Sequence, residues 1–81
     1  MTIGEATRIR IAELCKGRNI TVNKLSVMCG ITQSTLNNIM SGRNNSTTVS
    51  TVKKICDGLD ISIREFFNSD LFGENLEQEI K

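Results

Sequence analysis

At 81 residues, with three phenylalanines as its only aromatic side chains, the chain can form one small domain with a modest, mainly aliphatic core. No apolar run is long enough to span a bilayer and no secretory signal pattern is present, so we expect a cytoplasmic protein without membrane contact. The net charge of +1 divides into +6 over residues 1–56 and −5 over residues 57–81. A basic first portion is typical of nucleic-acid binding, although a surface of solvated charges would also explain it.

Apolar residues recur at intervals of three to four throughout the chain, which predicts helices, whereas the alternation typical of strands is scarce. The first helix is predicted from near Glu5 to Lys16, and the glycine-containing stretch 17–19 ends it. Its inward-facing residues are predicted to be Ile11, Leu14 and Cys15.

Thr21 is the predicted N-cap of a second helix that ends at Gly30. Lys24 stands where an acidic residue would complete a capping box, and its charge opposes the helix dipole. A phosphate bound at this helix end would offset that conflict, which favours an anion site here. The residues of this helix predicted to be buried are Leu25, Met28 and Cys29.

The stretch from Leu25 to Gly42 has the spacing of a helix-turn-helix. Gly30 makes the turn, Thr32 caps the third helix, and Gly42 ends it. The inward-facing residues are Leu36 and Ile39, and those left on the outer face are Gln33, Ser34, Asn37 and Asn38. Amide and hydroxyl side chains on such a face can read base edges in a major groove, which predicts binding to double-stranded DNA.

Residues 44–48 form a predicted polar loop, and Thr48 caps a fourth helix. Asp60 is predicted to close that helix in the left-handed conformation. Ser62 and Glu65 form a predicted capping box at the start of a short fifth helix. The apolar stripe of the fourth helix is predicted to be Val49, Val52, Ile55, Cys56 and Leu59. Five short helices with tight connections predict one compact all-α domain.

The domain is predicted to span residues 1–67, and residues 68–81 are predicted to be an acidic tail or a short dimerisation or partner-binding helix. The helical alternative rests on apolar residues that include a stripe spaced by four in an otherwise acidic segment. These residues are Leu71, Phe72, Leu76 and Ile80.

The three cysteines are odd in number and lack C-x-x-C spacing. Because the chain has no histidine, it lacks a set of zinc ligands, and no metal site is predicted. Each cysteine falls at an apolar-periodic position, which predicts buried, reduced thiols. They are Cys15, Cys29 and Cys56.

A set of residues distributed over all five predicted helices matches one known pattern. The set comprises Arg10, Ile11, Leu14, Ile20, Thr21, Leu25, Ser26, Gly30, Ile31, Thr32, Leu36, Ile39, Ser41, Gly42, Val49, Val52, Ile55, Leu59, Ile61, Ser62, Glu65 and Phe66. With these residues the chain resembles the lambda-repressor-like, Cro-type helix-turn-helix family over residues 5–67. The resemblance implies a five-helix DNA-binding domain that places its third helix in the major groove and binds two-fold operators as a homodimer.

The resemblance assigns base contacts to the third helix, and phosphate contacts to its flanks and to the start of the second helix. The implied base-reading residues are Gln33, Ser34, Asn37 and Asn38. The implied phosphate-contacting residues are Thr32, Arg43, Asn44, Asn23 and Lys24. A glutamine or asparagine can pair with adenine N6 and N7 through two hydrogen bonds, worth about 1–3 kcal/mol of discrimination. For each residue the alternative is a solvated polar side chain without a role in binding.

Three positions depart from the family pattern. Val22 stands where many members have a glutamine after the cap of the second helix, and its side chain cannot bind a phosphate. Cys15 and Met40 replace an arginine and a glutamate that often form a partly buried ion pair. Packing is expected to replace that pair without leaving an unpaired buried charge. We therefore predict that the side chains of Cys15 and Met40 are in contact.

These features predict a sequence-specific, homodimeric transcription regulator, most simply a repressor, that needs no cofactor. The alternative is an antitoxin-like or adaptor module on the same fold, which would bind a protein partner through the C-terminal segment. The chain is not expected to be an enzyme, because it has no histidine, no phosphate-binding glycine loop and no cysteine beside a base.

Overall fold

The computed structural model describes residues 1–43, 47–74 and 76–77. In this part of the chain it has α1 (Ile3–Gly17), α2 (Val22–Cys29), α3 (Gln33–Met40), α4 (Val49–Leu59) and α5 (Ile63–Phe66), followed by a 3-10 helix at Asp70–Phe72. The prediction of an all-α domain with five helices is therefore confirmed, and the short extra helix after α5 is a single 3-10 turn. No helix of the described residues is long and apolar enough to cross a membrane.

A hydroxyl side chain begins each α-helix by accepting a hydrogen bond from the N–H three residues further on. The five N-caps are Thr2, Thr21, Thr32, Thr48 and Ser62. Four of them are predicted from the sequence. The fifth, Thr2, forms a full capping box because the Glu5 carboxylate accepts a hydrogen bond from the Thr2 N–H at 3.3 Å. This box places the start of α1 at Ile3 rather than near Glu5.

Residues in the left-handed backbone conformation follow α2 and α4 at the predicted positions, whereas the residue after α1 differs from the prediction. Gly30 closes α2 at φ 66°, and Asp60 closes α4 at φ 57°, as predicted. After α1 it is Asn19, at φ 55°, that takes this conformation, while Gly17 is still helical. Asparagine tolerates the left-handed region better than most side chains, so the break needs no glycine.

The core consists of apolar side chains from all five α-helices. Its buried members are Ile11, Cys15, Leu25, Leu36, Ile39, Val52, Ile55, Cys56, Leu59 and Phe66. Leu14, Cys29 and Met40 pack against this cluster from its edge. Cys15 and Met40 thus belong to the same apolar region, and their direct contact stays a prediction.

Two residues predicted to be buried are exposed. Met28 is 37% exposed because the inward stripe of α2 follows residues 22, 25, 26 and 29, so that Ser26 takes the buried position. Val49 is 73% exposed because it is the first residue of α4, one turn before the buried Val52. The prediction for Met28 was wrong in the rotation of α2, and that for Val49 extended the buried stripe of α4 one turn too far, while the helices themselves are correct.

α2 and α4 approach closely at Gly58. A Cβ atom added to Gly58 would lie 2.5 Å from Cys29 Sγ and 3.0 Å from the Met28 carbonyl oxygen. Such distances leave no room for a side chain. Gly58 therefore permits the packing of the two helices, in addition to weakening the end of α4.

The described part of the C-terminal segment folds onto its own domain. The Phe72 ring lies 4.8 Å from that of Phe67 and 6.3 Å from that of Phe66, between ring centroids. Further on, Glu77 pairs with the N-terminus, because the Ile3 N–H donates to its carbonyl at 3.0 Å and its own N–H donates to Met1. Ile80 lies outside the described residues. The division at residue 67 and a role of residues 68–81 in dimerisation or partner binding stay predictions.

Candidate nucleic-acid interface

The connection between α2 and α3 is a tight turn built by backbone hydrogen bonds. Gly30 and Ile31 both donate their N–H groups to the Ser26 carbonyl, the latter at 3.1 Å. Ile31 then packs against the core, and only Gly30 and Ile31 separate the last residue of α2 from Thr32, the N-cap of α3. Because the turn is short and anchored by Ile31, the orientation of α3 relative to α2 is fixed.

α3 has one buried face and one polar face. Leu36 and Ile39 are fully or almost fully buried, which anchors the helix on the core. The residues predicted to read bases lie on the other side: Gln33, Ser34 and Asn37 are exposed, and Asn38 is half-buried. Three polar side chains can therefore meet a ligand directly, and Asn38 lies at the edge of that surface.

An amide pair connects the starts of the two helices. Gln33 Nε2 donates a hydrogen bond to Asn23 Oδ1. Asn23 is itself held in place, since Ser26 Oγ donates to its backbone carbonyl at 2.7 Å. The structure thus brings together two residues that the sequence assigns to separate roles, Gln33 to a base and Asn23 to a phosphate. Sequence reasoning missed the pair.

The remaining residues predicted to contact phosphates are placed differently from one another. Lys24 and Arg43 are exposed at the start of α2 and after α3. The Thr32 hydroxyl is engaged in its own helix, where it accepts from the Thr35 N–H at 3.2 Å and donates to Thr35 Oγ1 at 2.8 Å. Asn44 lies outside the described residues.

Most of the basic side chains of residues 1–56 are free to meet an anion. Within the described residues, six of the eight basic residues counted from the sequence form no ion pair. These six are Arg8, Lys16, Arg18, Lys24, Arg43 and Lys54. On α4, Lys53 pairs with Asp57 at 2.6 Å, and this hydrogen bond raises the pKa of the lysine.

Arg10, the other paired residue, has a structural role. Its Nε and Nη2 atoms donate to the backbone carbonyls of Phe66 and Glu65 at 2.6 and 2.9 Å, and Nη1 lies 3.5 Å from Glu13. The guanidinium therefore supplies donors and positive charge at the C-terminal end of α5. It holds α5 on α1 and is not available to a ligand.

The three cysteines are free thiols within the helical core. Cys15 and Cys56 are buried as predicted, whereas Cys29 is half-buried and its Sγ lies 3.8 Å from the Ile55 carbonyl, to which it donates. Burial, and to a smaller extent the neighbouring thiols, raises the pKa of Cys29 to about 11. The thiol is thus protonated at neutral pH, which makes it a poor nucleophile.

Comparison with known proteins agrees with this geometry. A family model described as helix-turn-helix matches residues 11–66, so the chain belongs to the lambda-repressor-like, Cro-type helix-turn-helix family and is a DNA-binding protein of that class. It is similar to the crystal structure of the prophage Lp1 protein 11, with 34% sequence identity, a TM-score of 0.81, and coverage of 91% of this chain and 97% of that chain. No significant match was found among curated proteins.

Proposed function

We propose that the protein is a sequence-specific transcription regulator, most simply a cytoplasmic repressor, that binds a two-fold operator as a homodimer. Each subunit would insert α3 into the major groove of one half-site. Occupancy of a promoter would then exclude the transcription machinery by steric hindrance. The proposal requires neither catalysis nor a cofactor.

The observation that carries this proposal is the Gln33–Asn23 amide pair at the exposed start of α3. Because Gln33 Nε2 gives one hydrogen to Asn23, an acceptor (Oε1) and one further N–H remain for a ligand. An acceptor beside a donor is complementary to the N6–H and N7 of adenine. Adenine is therefore the base that we expect Gln33 to read.

The same pair supports a phosphate contact at the start of α2. Asn23 uses its oxygen for Gln33, which leaves the two hydrogens of its Nδ2 for an anion. The first N–H groups of a helix have no partner within the helix and favour an anion as well. Asn23 can thus supply the phosphate contact that the side chain of Val22 lacks.

Charge and family membership support DNA as the partner. Six unpaired basic side chains lie among residues 1–56 of the described structure. Binding would release counterions from the DNA, so affinity should fall steeply as salt is raised.

Selection of bound sequences from a random pool of DNA duplexes tests the proposal. We expect enrichment of an inverted repeat whose half-sites are centred about one helical turn apart, roughly 34 Å. Enrichment of a single half-site would contradict dimeric binding. A pool that stays random would overturn sequence-specific recognition.

The alternative, an antitoxin-like or adaptor module, has less support. It would bind its partner through Leu71, Phe72, Leu76 and Ile80. Of these, Leu71, Phe72 and Leu76 are half-buried in the described structure, and Phe72 packs against the core of its own chain. Little of their apolar surface is left for another protein.

A further inference from the structure

An arginine outside the predicted interface lies beside the end of α3. Arg8, on the second turn of α1, reaches Gly42: a Cβ atom added to Gly42 would lie 3.0 Å from Arg8 Nη1 and 3.7 Å from Arg8 Cζ. Gly42 directly precedes Arg43, which is exposed. Two arginines therefore lie at the C-terminal end of α3, Arg8 beside Gly42 in space and Arg43 next to it in sequence. By sequence alone, Arg8 is one of eight basic residues within residues 1–56.

The Arg8 guanidinium has no protein partner in the described structure. It forms neither an ion pair nor a hydrogen bond with any described residue. Arg8 is half-buried, yet among the described residues no buried side-chain nitrogen lacks a hydrogen-bond partner. Each unbonded nitrogen of Arg8 therefore keeps some solvent-accessible surface.

Among the described residues, Arg8 lacks the hydrogen bonds within the domain that give Arg10 its structural role. Hydrogen bonds from the N–H and the hydroxyl of Thr2, at 3.3 and 3.1 Å, are the main cause that lowers the pKa of Glu5, and the charge of Arg8 contributes least. The Asn37 and Ile39 carbonyls at the end of α3 already accept from Ser41 and Gly42 N–H groups at 2.9 and 3.2 Å.

The Asn38 carbonyl in the same turn accepts from Ser41 Oγ at 3.3 Å. Three carbonyls of the last turn of α3 thus have partners other than an arginine. Arg10 differs, because its guanidinium donates directly to two carbonyls at the end of α5. Among the described residues, no hydrogen bond or ion pair inside the domain accounts for the Arg8 donors.

We propose that Arg8 is a DNA-binding residue that, together with Arg43, holds a backbone phosphate beside the end of α3. This inference rests on the proposed function. A guanidinium presents five N–H donors in a planar fork that matches two phosphate oxygens. Phosphate contacts carry no base sequence, so Arg8 sets the position and affinity of the protein on DNA and leaves its base preference unchanged.

Salt-dependent binding measurements with Arg8→Gln test this proposal. Glutamine removes the charge and keeps a polar side chain. We expect weaker binding by roughly three- to tenfold near physiological salt, equal on operator and random duplexes, and a slope of log K against log salt that is smaller by about one. Arg8→Lys should keep the wild-type slope, because it keeps the charge.

Arg64→Gln is the matched control, since it removes the same charge from an exposed position on α5 in the acidic portion of the chain. Its slope should equal that of the wild type. Arg43→Gln distinguishes a failure of the Arg8 proposal from a failure of the proposed DNA-binding function. If Arg43→Gln lowers the slope and Arg8→Gln does not, the role of Arg8 is overturned alone. If the wild type binds no DNA, both proposals fail.

A second measurement on the wild-type chain covers the case in which Arg8→Gln does not fold. The arginine Nε–H signals in an NMR spectrum are followed while an operator duplex is added. The signals of Arg8 and Arg43 should shift, while those of Arg10 and Arg64 should stay in place. A shift at Arg43 with none at Arg8 would exclude the phosphate contact.

Discussion

At the scale of single residues, the Gln33–Asn23 pair determines what the start of α3 can read. An isolated glutamine can present its amide in either orientation, and each orientation suits different bases. A hydrogen bond from Gln33 Nε2 to Asn23 Oδ1 favours one of them. Under the proposed function, Asn23 would thus position Gln33 for base recognition, in addition to being a candidate phosphate contact.

Two substitutions of Asn23 test this role. Asn23→Asp leaves an oxygen that can only accept, so Gln33 must still donate through Nε2. We expect the preference for adenine at this position to be kept, while binding to every sequence weakens because the new charge faces phosphates. Asn23→Ala frees the amide of Gln33, and discrimination should fall by up to about 1–3 kcal/mol. Binding to duplexes that differ at this base pair measures both effects.

Asn19→Asp is the control for the added charge. It places the same carboxylate in the exposed turn before α2, at a left-handed position that aspartate tolerates. It should lower affinity without altering base preference. A changed preference in Asn23→Asp, together with an unchanged one in Asn23→Ala, would contradict the role given to this pair.

Gly58 makes a prediction about stability. In Gly58→Ala, overpacking against Cys29 should cost about 1–3 kcal/mol of the free energy of unfolding. A gain in helix propensity of about 1 kcal/mol offsets part of this cost, so we expect a net loss of up to about 2 kcal/mol. Urea denaturation followed by circular dichroism measures this net change.

Gly17→Ala is the matched control for this change. Gly17 is also helical, but a Cβ atom added there would meet nothing within 4 Å. Here alanine should raise stability by about 0.4–1 kcal/mol, because it restricts the unfolded chain. If alanine changes the free energy of unfolding equally at the two glycines, the close approach of α2 and α4 is not what determines the effect of Gly58→Ala.

At the scale of helices, the sequence predicts what depends on neighbouring residues along the chain. The caps Thr21, Thr32, Thr48 and Ser62 act over three residues, so local patterns reveal them. Thr2 forms the same kind of bond, but it precedes the first recognisable apolar period. The sequence pattern therefore predicts the start of the helix near Glu5, the partner of Thr2.

Periodicity could not predict how each helix is rotated or which residues meet across the fold. Met28 lies within a permitted apolar stripe of α2, yet the packing against α4 turns it outward. The bond of Gln33 to Asn23 depends on the angle between α2 and α3. Arg10 reaches carbonyls that are 55 and 56 residues away along the chain. Such contacts follow from tertiary structure alone.

Truncation after Asn68 tests how the C-terminal segment contributes. It removes the Phe72 ring from the aromatic cluster and the bond between Glu77 and Ile3. We expect a lower melting temperature, by about 4–8 °C for each kcal/mol lost in a domain of this size. At a temperature where the shortened chain is folded, DNA affinity should be unchanged. A folded chain that no longer binds DNA would show that the segment takes part in binding.

At the scale of the whole molecule, the domain separates two kinds of charged surface along its sequence. The basic portion contains α1, α2 and α3, and the acidic portion begins within α4 and includes α5. The exposed acidic residues would repel DNA, which favours approach by the opposite portion. We expect this division to favour one orientation of the protein as it approaches DNA.

Half-site spacing tests dimeric binding by the intact protein. Inserting about 5 bp between the two halves of the selected operator places them on opposite faces of the duplex. Affinity should then fall to that of a single half-site, and an insertion of about 10 bp should restore part of the loss. If the affinity does not depend on the half-site spacing, the protein binds DNA as independent monomers.

The pairing of Glu77 with the N-terminus has a topological consequence. The Glu77 N–H donates to Met1 at 3.0 Å, so residues that are 76 positions apart in the sequence are neighbours in space. A short linker could therefore join residues 1 and 77 into a ring without distorting the described fold. Cyclisation at these two positions would restrict the unfolded chain alone, a stabilisation on the order of 4 kcal/mol for a loop of this length.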